Sequence, residues 1–270
     1  MREDFALRMH ARTAEAGGGG PTEEEPMAVA AVTGAAGAIG RSISTRLLAE
    51  GYAVALLDRS SQVEQVAEEL RAAGAQTEGV AVDVTDPASV RAAHAQVCAV
   101  LGRPDLLVNV AGIYELVPTT ELSWERWKAV VDVNLGGTFL CSQAFGAGML
   151  DDGAGIIVNI ASGRAFGGQP RGVHYAASKA GVVNLTRSLA QEWAPTVRVN
   201  CVVPGLTDTP MPRSTGMTTE QMEERARERV PLQRVGQPED VAGMVAFLAG
   251  PDAAYMTGQS ICINGGVIMR

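Results

Sequence analysis

The stretch AVAAVTGAAGAIG, residues 28–40, decides the fold. Its first six residues form a short apolar run suited to a strand buried on both faces of a parallel sheet. The run passes directly into TGAAGAIG (33–40). Glycines there permit a tight turn and let backbone N–H groups approach a pyrophosphate at the start of the following helix. A glycine turn alone is a weak signal. It gains weight from Asp58, which closes the next apolar run 18 residues after Gly40. A carboxylate at that place accepts hydrogen bonds from both ribose hydroxyls of an adenosine.

The same alternation continues along the chain. AVALLD (53–58), GVAVDV (79–84), DLLVNV (105–110), GIIVNI (155–160), VRVNCVV (197–203) and SICIN (260–264) read as further buried strands, with helical segments between them. Pro87 marks a first helical turn, and Ser123 caps a long helix that runs to about residue 150. Seven strands joined by right-handed crossovers predict one α/β domain, a Rossmann-type doubly wound parallel sheet over residues 27–270. Asp83 is expected at the end of the third strand, where it meets the adenine amino group. Asn109-Val110-Ala111-Gly112 closes the fourth, at the carboxyl edge where such sheets bind ligands.

Composition narrows the function classes. The 270 residues are 46% hydrophobic, with 31 glycines and few aromatics, enough for a full core. A net charge of −8 argues against a nucleic-acid or anionic-membrane partner. Cys98, Cys141, Cys201 and Cys262 are scattered without C-x-x-C, as expected of reduced thiols in a cytoplasmic protein. Neither they nor the three histidines form a metal-ligand spacing, so no metal is expected, and no apolar run approaches the ~20 residues of a membrane span. Residues 1–26, polar and broken by GGGGP and an acidic run, are expected to be a disordered tail.

Residues 175–179, YAASK, place a tyrosine one helical turn from a lysine. An adjacent ammonium favours the phenolate, and a phenol so tuned serves as general acid or base near neutral pH. TGAAGAIG, NVAG, Asn134 in VNLGGTF, Ser162, YAASK and the Pro204-Gly205 pair stand in one order. In that set and order the chain resembles the short-chain dehydrogenases/reductases, main branch of ~250 residues, over roughly residues 27–267. The resemblance implies a catalytic set of Asn134, Ser162, Tyr175 and Lys179. Tyr175 would move the substrate hydroxyl proton as hydride passes to or from a nicotinamide. Lys179 would lower the tyrosine pKa and bind the nicotinamide ribose, Ser162 would bond the substrate oxygen, and Asn134 would hold a relay water. It also implies a cofactor site of Gly34, Ala38, Ile39, Gly40, Asp58, Arg59, Asp83, Val84, Asn109, Ala111, Gly112, Tyr175, Lys179, Pro204, Gly205, Thr207 and Thr209. A homotetramer is implied too, with FGAGM (145–149) and AASKAGVV (176–183) at the helix contacts.

Three positions depart from the family's pattern: Ala38 for the middle glycine, Val110 for the second asparagine of NNAG, and Asn264 for an aspartate. NAD is the expected cofactor, because Asp58 would face the 2′-phosphate of NADP as a like charge; NADP, assisted by Arg59, is the weaker alternative. The substrate is a small alcohol or ketone of open identity, with 113–117, 163–174 and 206–230 as its surroundings. Enoyl reductases of this fold use a wider Tyr-to-Lys spacing and fit less well. Alternatives are an NADP-dependent 3-oxoacyl thioester reductase, a dehydratase or epimerase, and a silent nucleotide sensor.

Overall fold

The computed structural model describes residues 27–269. The expected tail at 1–26 lies outside them. Strand β1 (Val29–Thr33) leads into α1 (Ala38–Ala49), and β2 (Ala53–Asp58) into α2 (Gln62–Ala72). β3 (Thr77–Ala81) is followed by α3 (Pro87–Val100), and β4 (Leu106–Asn109) by α4 (Trp124–Val131) and α5 (Gly137–Asp152). β5 (Gly155–Ile160) precedes a short α6 (Arg164–Gly167) and the long α7 (Val173–Trp193). After β6 (Val197–Pro204) come α8 (Pro210–Arg213), α9 (Thr219–Arg229) and α10 (Pro238–Ala249), then β7 (Ser260–Ile263).

All seven strands pair in parallel, in the order β3-β2-β1-β4-β5-β6-β7. The reversal between β1 and β4 opens a crevice at their carboxyl ends, the place where such sheets bind ligands. Strand periodicity sorts the core into two layers. Ala30, Val32, Val54 and Leu56 point to one face, against Ile43 and Leu47 of α1, Val63 of α2 and Val245 and Leu248 of α10. Val29, Ala31, Ala55 and Leu57 point to the other, against Val97 of α3, Phe145 and Met149 of α5 and Leu189 of α7. Both faces are covered, which is why the strands carry apolar residues at nearly every position.

Local signals placed most boundaries. Asp86 accepts from Ala88 N–H ahead of Pro87, and Ser123 accepts from Arg126 N–H at the start of α4. Two boundaries differ from the reading above. β3 lies two residues upstream of GVAVDV, so Asp83 sits beyond the strand in a turn, where Thr85 donates to it from N–H (2.9 Å) and Oγ1 (2.7 Å). The long helix from Ser123 is also interrupted. Asp132–Gly136 form a π-turn between α4 and α5, with Asn134 at its centre. Of the FGAGM segment, Phe145, Gly146 and Met149 are buried in this chain's own core, and a Cβ on Gly146 would strike Trp193 at 2.7 Å. Those three residues are packed internally, while Ala147 is exposed and Gly148 half-buried. Phe139, 42% exposed, and Leu150, 38% exposed, are the large apolar side chains that α5 turns outward. Among the described residues no helix is long and apolar enough to cross a membrane, and no cluster of metal-ligating side chains occurs.

Candidate active site

The glycine turn is shaped by contacts that leave no room for side chains. Gly34 has φ +65°, and a Cβ there would lie 2.8 Å from Ala111 N across the β1–β4 crevice. A Cβ on Gly40 would meet Gly34 O at 2.2 Å, closing the turn against itself. Gly37, the cap of α1, offers no side-chain hydrogen bond, and the first turn carries no acid. The leading N–H groups of α1 are thus left for an anion.

These residues line a cavity of about 580 Å³. Of the residues expected at the cofactor, Gly34, Ala38, Ile39, Gly40, Asp58, Arg59, Asp83, Val84, Ala111, Gly112 and Thr209 border it. Asp58 is anchored through both oxygens, one taking Ala36 N–H (3.0 Å) and the other Ser60 N–H (2.9 Å). Arg59 is exposed, and its charge acts on Asp83, whose pKa is held low first by its bonds from Thr85. An open helix N-terminus, a cramped glycine turn and a fixed carboxylate 18 residues on fit the pyrophosphate and ribose of a dinucleotide.

Other predicted cofactor residues stand back from the cavity. Asn109 turns its side chain into the core, donating to Asn159 Oδ1 (2.9 Å) and Ser142 Oγ (3.1 Å), while Asn159 donates to Thr186. Its contribution to the crevice is therefore positional: it ties β4, β5, α5 and α7 together below the floor. The replacement of the next residue by valine leaves the turn intact, since Thr33 Oγ1 accepts from both Val110 N–H (3.0 Å) and Ala111 N–H (3.2 Å). Pro204 accepts from Gly163 N–H, and a Cβ on Gly205 would meet Asn264 Cα at 2.8 Å. Asn264 both accepts from Gly266 N–H and donates to Ile268 O, a double role an aspartate cannot fill. Thr207 is buried, its Oγ1 donating to Gly205 O.

The four candidate catalytic residues converge beyond Gly112. Tyr175 and Lys179 share the buried face of α7, with Lys179 Nζ 5.9 Å from the Tyr175 ring centroid. A Cβ on Gly112 would sit 3.2 Å from Asn134 Oδ1 and 3.5 Å from Lys179 Nζ, so this glycine joins the cavity to the catalytic set. Asn134 exchanges two hydrogen bonds with the backbone of Ile113 (2.8 and 3.0 Å) and donates to Ser178 on α7. The π-turn gives that buried amide its placement, clamping the loop after β4 to the catalytic helix. The Ser162 hydroxyl acts on the Tyr175 phenol, favouring its anion, and receives Arg164 N–H at 3.2 Å.

The electrostatics differ from the expectation for the tyrosine–lysine pair. Burial pushes the Tyr175 phenol up; the downward pulls come from the Ser162 hydroxyl and the Arg164 guanidinium. Lys179 is itself driven down to about 8 by burial, and its Nζ donates to Ile160 O at 2.8 Å. The lysine is a buried cation near neutrality more than a tuner of the free phenol. Burial also holds the thiols of Cys141 and Cys201 at about 12, which leaves both inert.

Sequence reasoning missed two supports. Glu115 accepts from Arg126 (Nη2, 2.7 Å) and contacts His174 Nε2 (3.1 Å), pinning the residue before Tyr175 to the loop after β4. The Arg126 bond, foremost, holds its carboxyl low. Tyr114 packs edge-on against Tyr175, centroids 4.7 Å apart. An aromatic at a loop position carries no periodic signal, so only the fold reveals it.

Comparison with known proteins agrees with this architecture. A family model described as Enoyl-(Acyl carrier protein) reductase matches residues 34–268. The 3-oxoacyl-[acyl-carrier-protein] reductase FabG of Staphylococcus aureus is 39% identical over 243 residues, covering 89% of this chain and 98% of that protein. The crystal structure of gox2181 superposes with a TM-score of 0.85 at 37% identity, covering 90% of this chain and 96% of that one. A gluconate 5-dehydrogenase from Burkholderia cenocepacia J2315, solved with NADP and tartrate, gives 0.84 at 30%, covering 89% and 94%. The glycine turn, the Ser-Tyr-Lys cluster and these matches together establish that the chain belongs to the short-chain dehydrogenase/reductase family.

Proposed function

We propose that this oxidoreductase interconverts a secondary alcohol and a ketone, with Tyr175 as general acid and base. The observation that carries the reading is the buried Tyr175–Lys179 pair on one face of α7, with Nζ 5.9 Å from the ring centroid, just past the glycine that borders the dinucleotide cavity. The bound nicotinamide supplies the hydride acceptor or donor. Tyr175 takes the hydroxyl proton in oxidation and returns it to the carbonyl oxygen in reduction. The Ser162 hydroxyl donates to that same oxygen and stabilises the charge that builds there. Lys179, with a pKa of about 8, exchanges a proton near ambient pH and so restores the phenol. Asn134 holds the loop and helix in register. A silent sensor has no use for a buried lysine, which costs stability.

NAD is our reading of the preferred cofactor. Asp58 is held by two backbone N–H groups and cannot swing aside for a 2′-phosphate. The like-charge contact is worth ~1–3 kcal/mol, a tenfold to hundredfold preference. NADP in the Burkholderia relative supports the alternative, and the FabG relative supports a second reading as a 3-oxoacyl thioester reductase. The one-turn spacing from Tyr175 to Lys179 speaks against enoyl reduction. We further read the enzyme as a cytoplasmic homotetramer. A screen of the purified enzyme on alcohols, ketones and a 3-oxoacyl thioester, with both nicotinamides, tests all of this. Hydride transfer to or from a secondary carbinol supports the reading, and no transfer with any substrate overturns it.

A further inference from the structure

Residues 112–117, between β4 and α4, are laid along the start of the catalytic helix and its lead-in, against the direction of that helix. A Cβ on Gly112 would sit 3.5 Å from Lys179 Nζ, Tyr114 packs on Tyr175, and Glu115 contacts His174 Nε2 at 3.1 Å. Further along, a Cβ on Gly172 would meet Leu116 Cδ2 at 3.4 Å, and Val117 N–H donates to Arg171 O. Each later residue of the segment meets an earlier residue of the helix side. The connection is a strap.

The strap fixes Tyr114 from both ends. Asn134 holds Ile113 through bonds of 2.8 and 3.0 Å. Glu115 is held by Arg126 Nη2 at 2.7 Å and by His174, which is fully buried. Between these anchors the Tyr114 ring stands edge-on to Tyr175, centroids 4.7 Å apart and planes at 72°. A tyrosine has only two side-chain torsions, so with its backbone held and its ring packed it presents a rigid surface. Among the described residues its hydroxyl makes no hydrogen bond, so the ring is what the fold builds into this place. Gly112 and Ile113 border the dinucleotide cavity and Tyr114 does not. Half-buried, it stands past the end of that cavity, against the catalytic phenol.

We propose that Tyr114 is a specificity-determining residue, a fixed aromatic wall beside the reacting carbon that admits only a small group, a methyl or an unbranched methylene, on its side. This rests on the oxidoreductase reading above, which places the substrate oxygen within reach of the Tyr175 hydroxyl. An oxygen held there sends the two substituents of its carbon to either side, and one of those directions runs into the Tyr114 ring. Branching on that side must displace a ring anchored at both ends. The substrate class is therefore a ketone or secondary alcohol with one slender arm.

The test measures kcat/KM of the full chain for ethyl acetoacetate, with a methyl beside the ketone, and for ethyl 4,4-dimethyl-3-oxopentanoate, with a tert-butyl there, under saturating NADH and again under saturating NADPH. The tert-butyl ketone is intrinsically less reactive, so the quantity read is the change between variants in the ratio of the two. Tyr114→Ala should raise the ratio of tert-butyl to methyl ketone at least about tenfold, the scale on which pockets discriminate single methylenes. Tyr114→Phe keeps the ring and should leave the ratio within about twofold of the parent. Tyr114→Leu carries the same comparison if the alanine variant does not fold. A ring that only steadied Tyr175 would slow both ketones alike; an unchanged ratio in the alanine or leucine variant therefore overturns the proposal. So does a phenylalanine variant that behaves like alanine, or turnover of neither ketone by any variant of an enzyme that works on other carbinols. Hydride transfer to no substrate at all removes the oxidoreductase reading on which the wall rests.

Discussion

Lys179→Met should yield a protein that is inactive and yet no less stable than the parent at pH 7. The ammonium is only 5% exposed, and burial draws its pKa from 10.5 to about 8. A displacement of that size destabilises the native state by about 3 kcal/mol below pH 8. The unfolded chain keeps its proton up to about pH 10.5, whereas the folded one releases it near 8. The parent therefore gains stability as pH rises through this window, about 1 kcal/mol between pH 7 and pH 9. Methionine fills a similar volume with apolar atoms and has nothing to desolvate. Against it, the Ile160 carbonyl loses a donor at 2.8 Å, a loss of about 1–3 kcal/mol. The net expectation at pH 7 is a variant ahead by ~0–2 kcal/mol, with its advantage about 1 kcal/mol smaller at pH 9. Urea unfolding of both apoproteins at the two pH values, read by tryptophan fluorescence, gives the comparison. A variant weaker by more than about 2 kcal/mol, with a gap that ignores pH, would refute the reasoning. Lys179 would then be a stabilising partner and not a cation buried for chemistry.

Other expectations follow from the cavity and the surface. Asp58→Ser should move the ratio of kcat/KM for NAD over NADP toward NADP by roughly tenfold to hundredfold; an unchanged ratio would show that Arg59 or another group sets the preference. Gly40→Ala places a methyl 2.2 Å from the Gly34 carbonyl, so cofactor titration should show binding lost or weakened at least tenfold. Wild-type affinity would mean that the turn yields more easily than its packing suggests. Light scattering should show a tetramer at working concentration, with Phe139→Asp lowering the mass; a monomeric parent would contradict the assembly.

The sheet was legible because both of its faces are covered, so the strands announce themselves as unbroken apolar runs. The glycine turn was legible because Gly34 and Gly40 leave no room for a Cβ. Legibility failed where tertiary contacts overrode local pattern. β3 slid upstream to Thr77, whose hydroxyl donates to Ala67 O of α2, a bond no strand propensity encodes. The π-turn around Asn134 was invisible in a helical run, because the irregularity is fixed by the amide's bonds to Ile113 and Ser178. Asn109 was assigned to the cofactor from its place at a strand end. Yet side chains alternate in direction along a strand, and this one faces Asn159 and Ser142. The segment 113–117 was legible as part of the substrate's surroundings, but the packing of Tyr114 on Tyr175 was not, because the two are far apart in sequence and meet only in the fold.

The central claim is that the Tyr175 phenol moves the proton while the nicotinamide moves the hydride. The most direct measurement is single-turnover hydride transfer in Tyr175→Phe, with cofactor affinity measured on the same preparation. Removing the hydroxyl leaves the ring that packs on Tyr114, so cofactor binding should stay within about twofold while the rate falls at least ~10²-fold. A variant that binds cofactor normally and still transfers hydride at the parent rate would contradict the account.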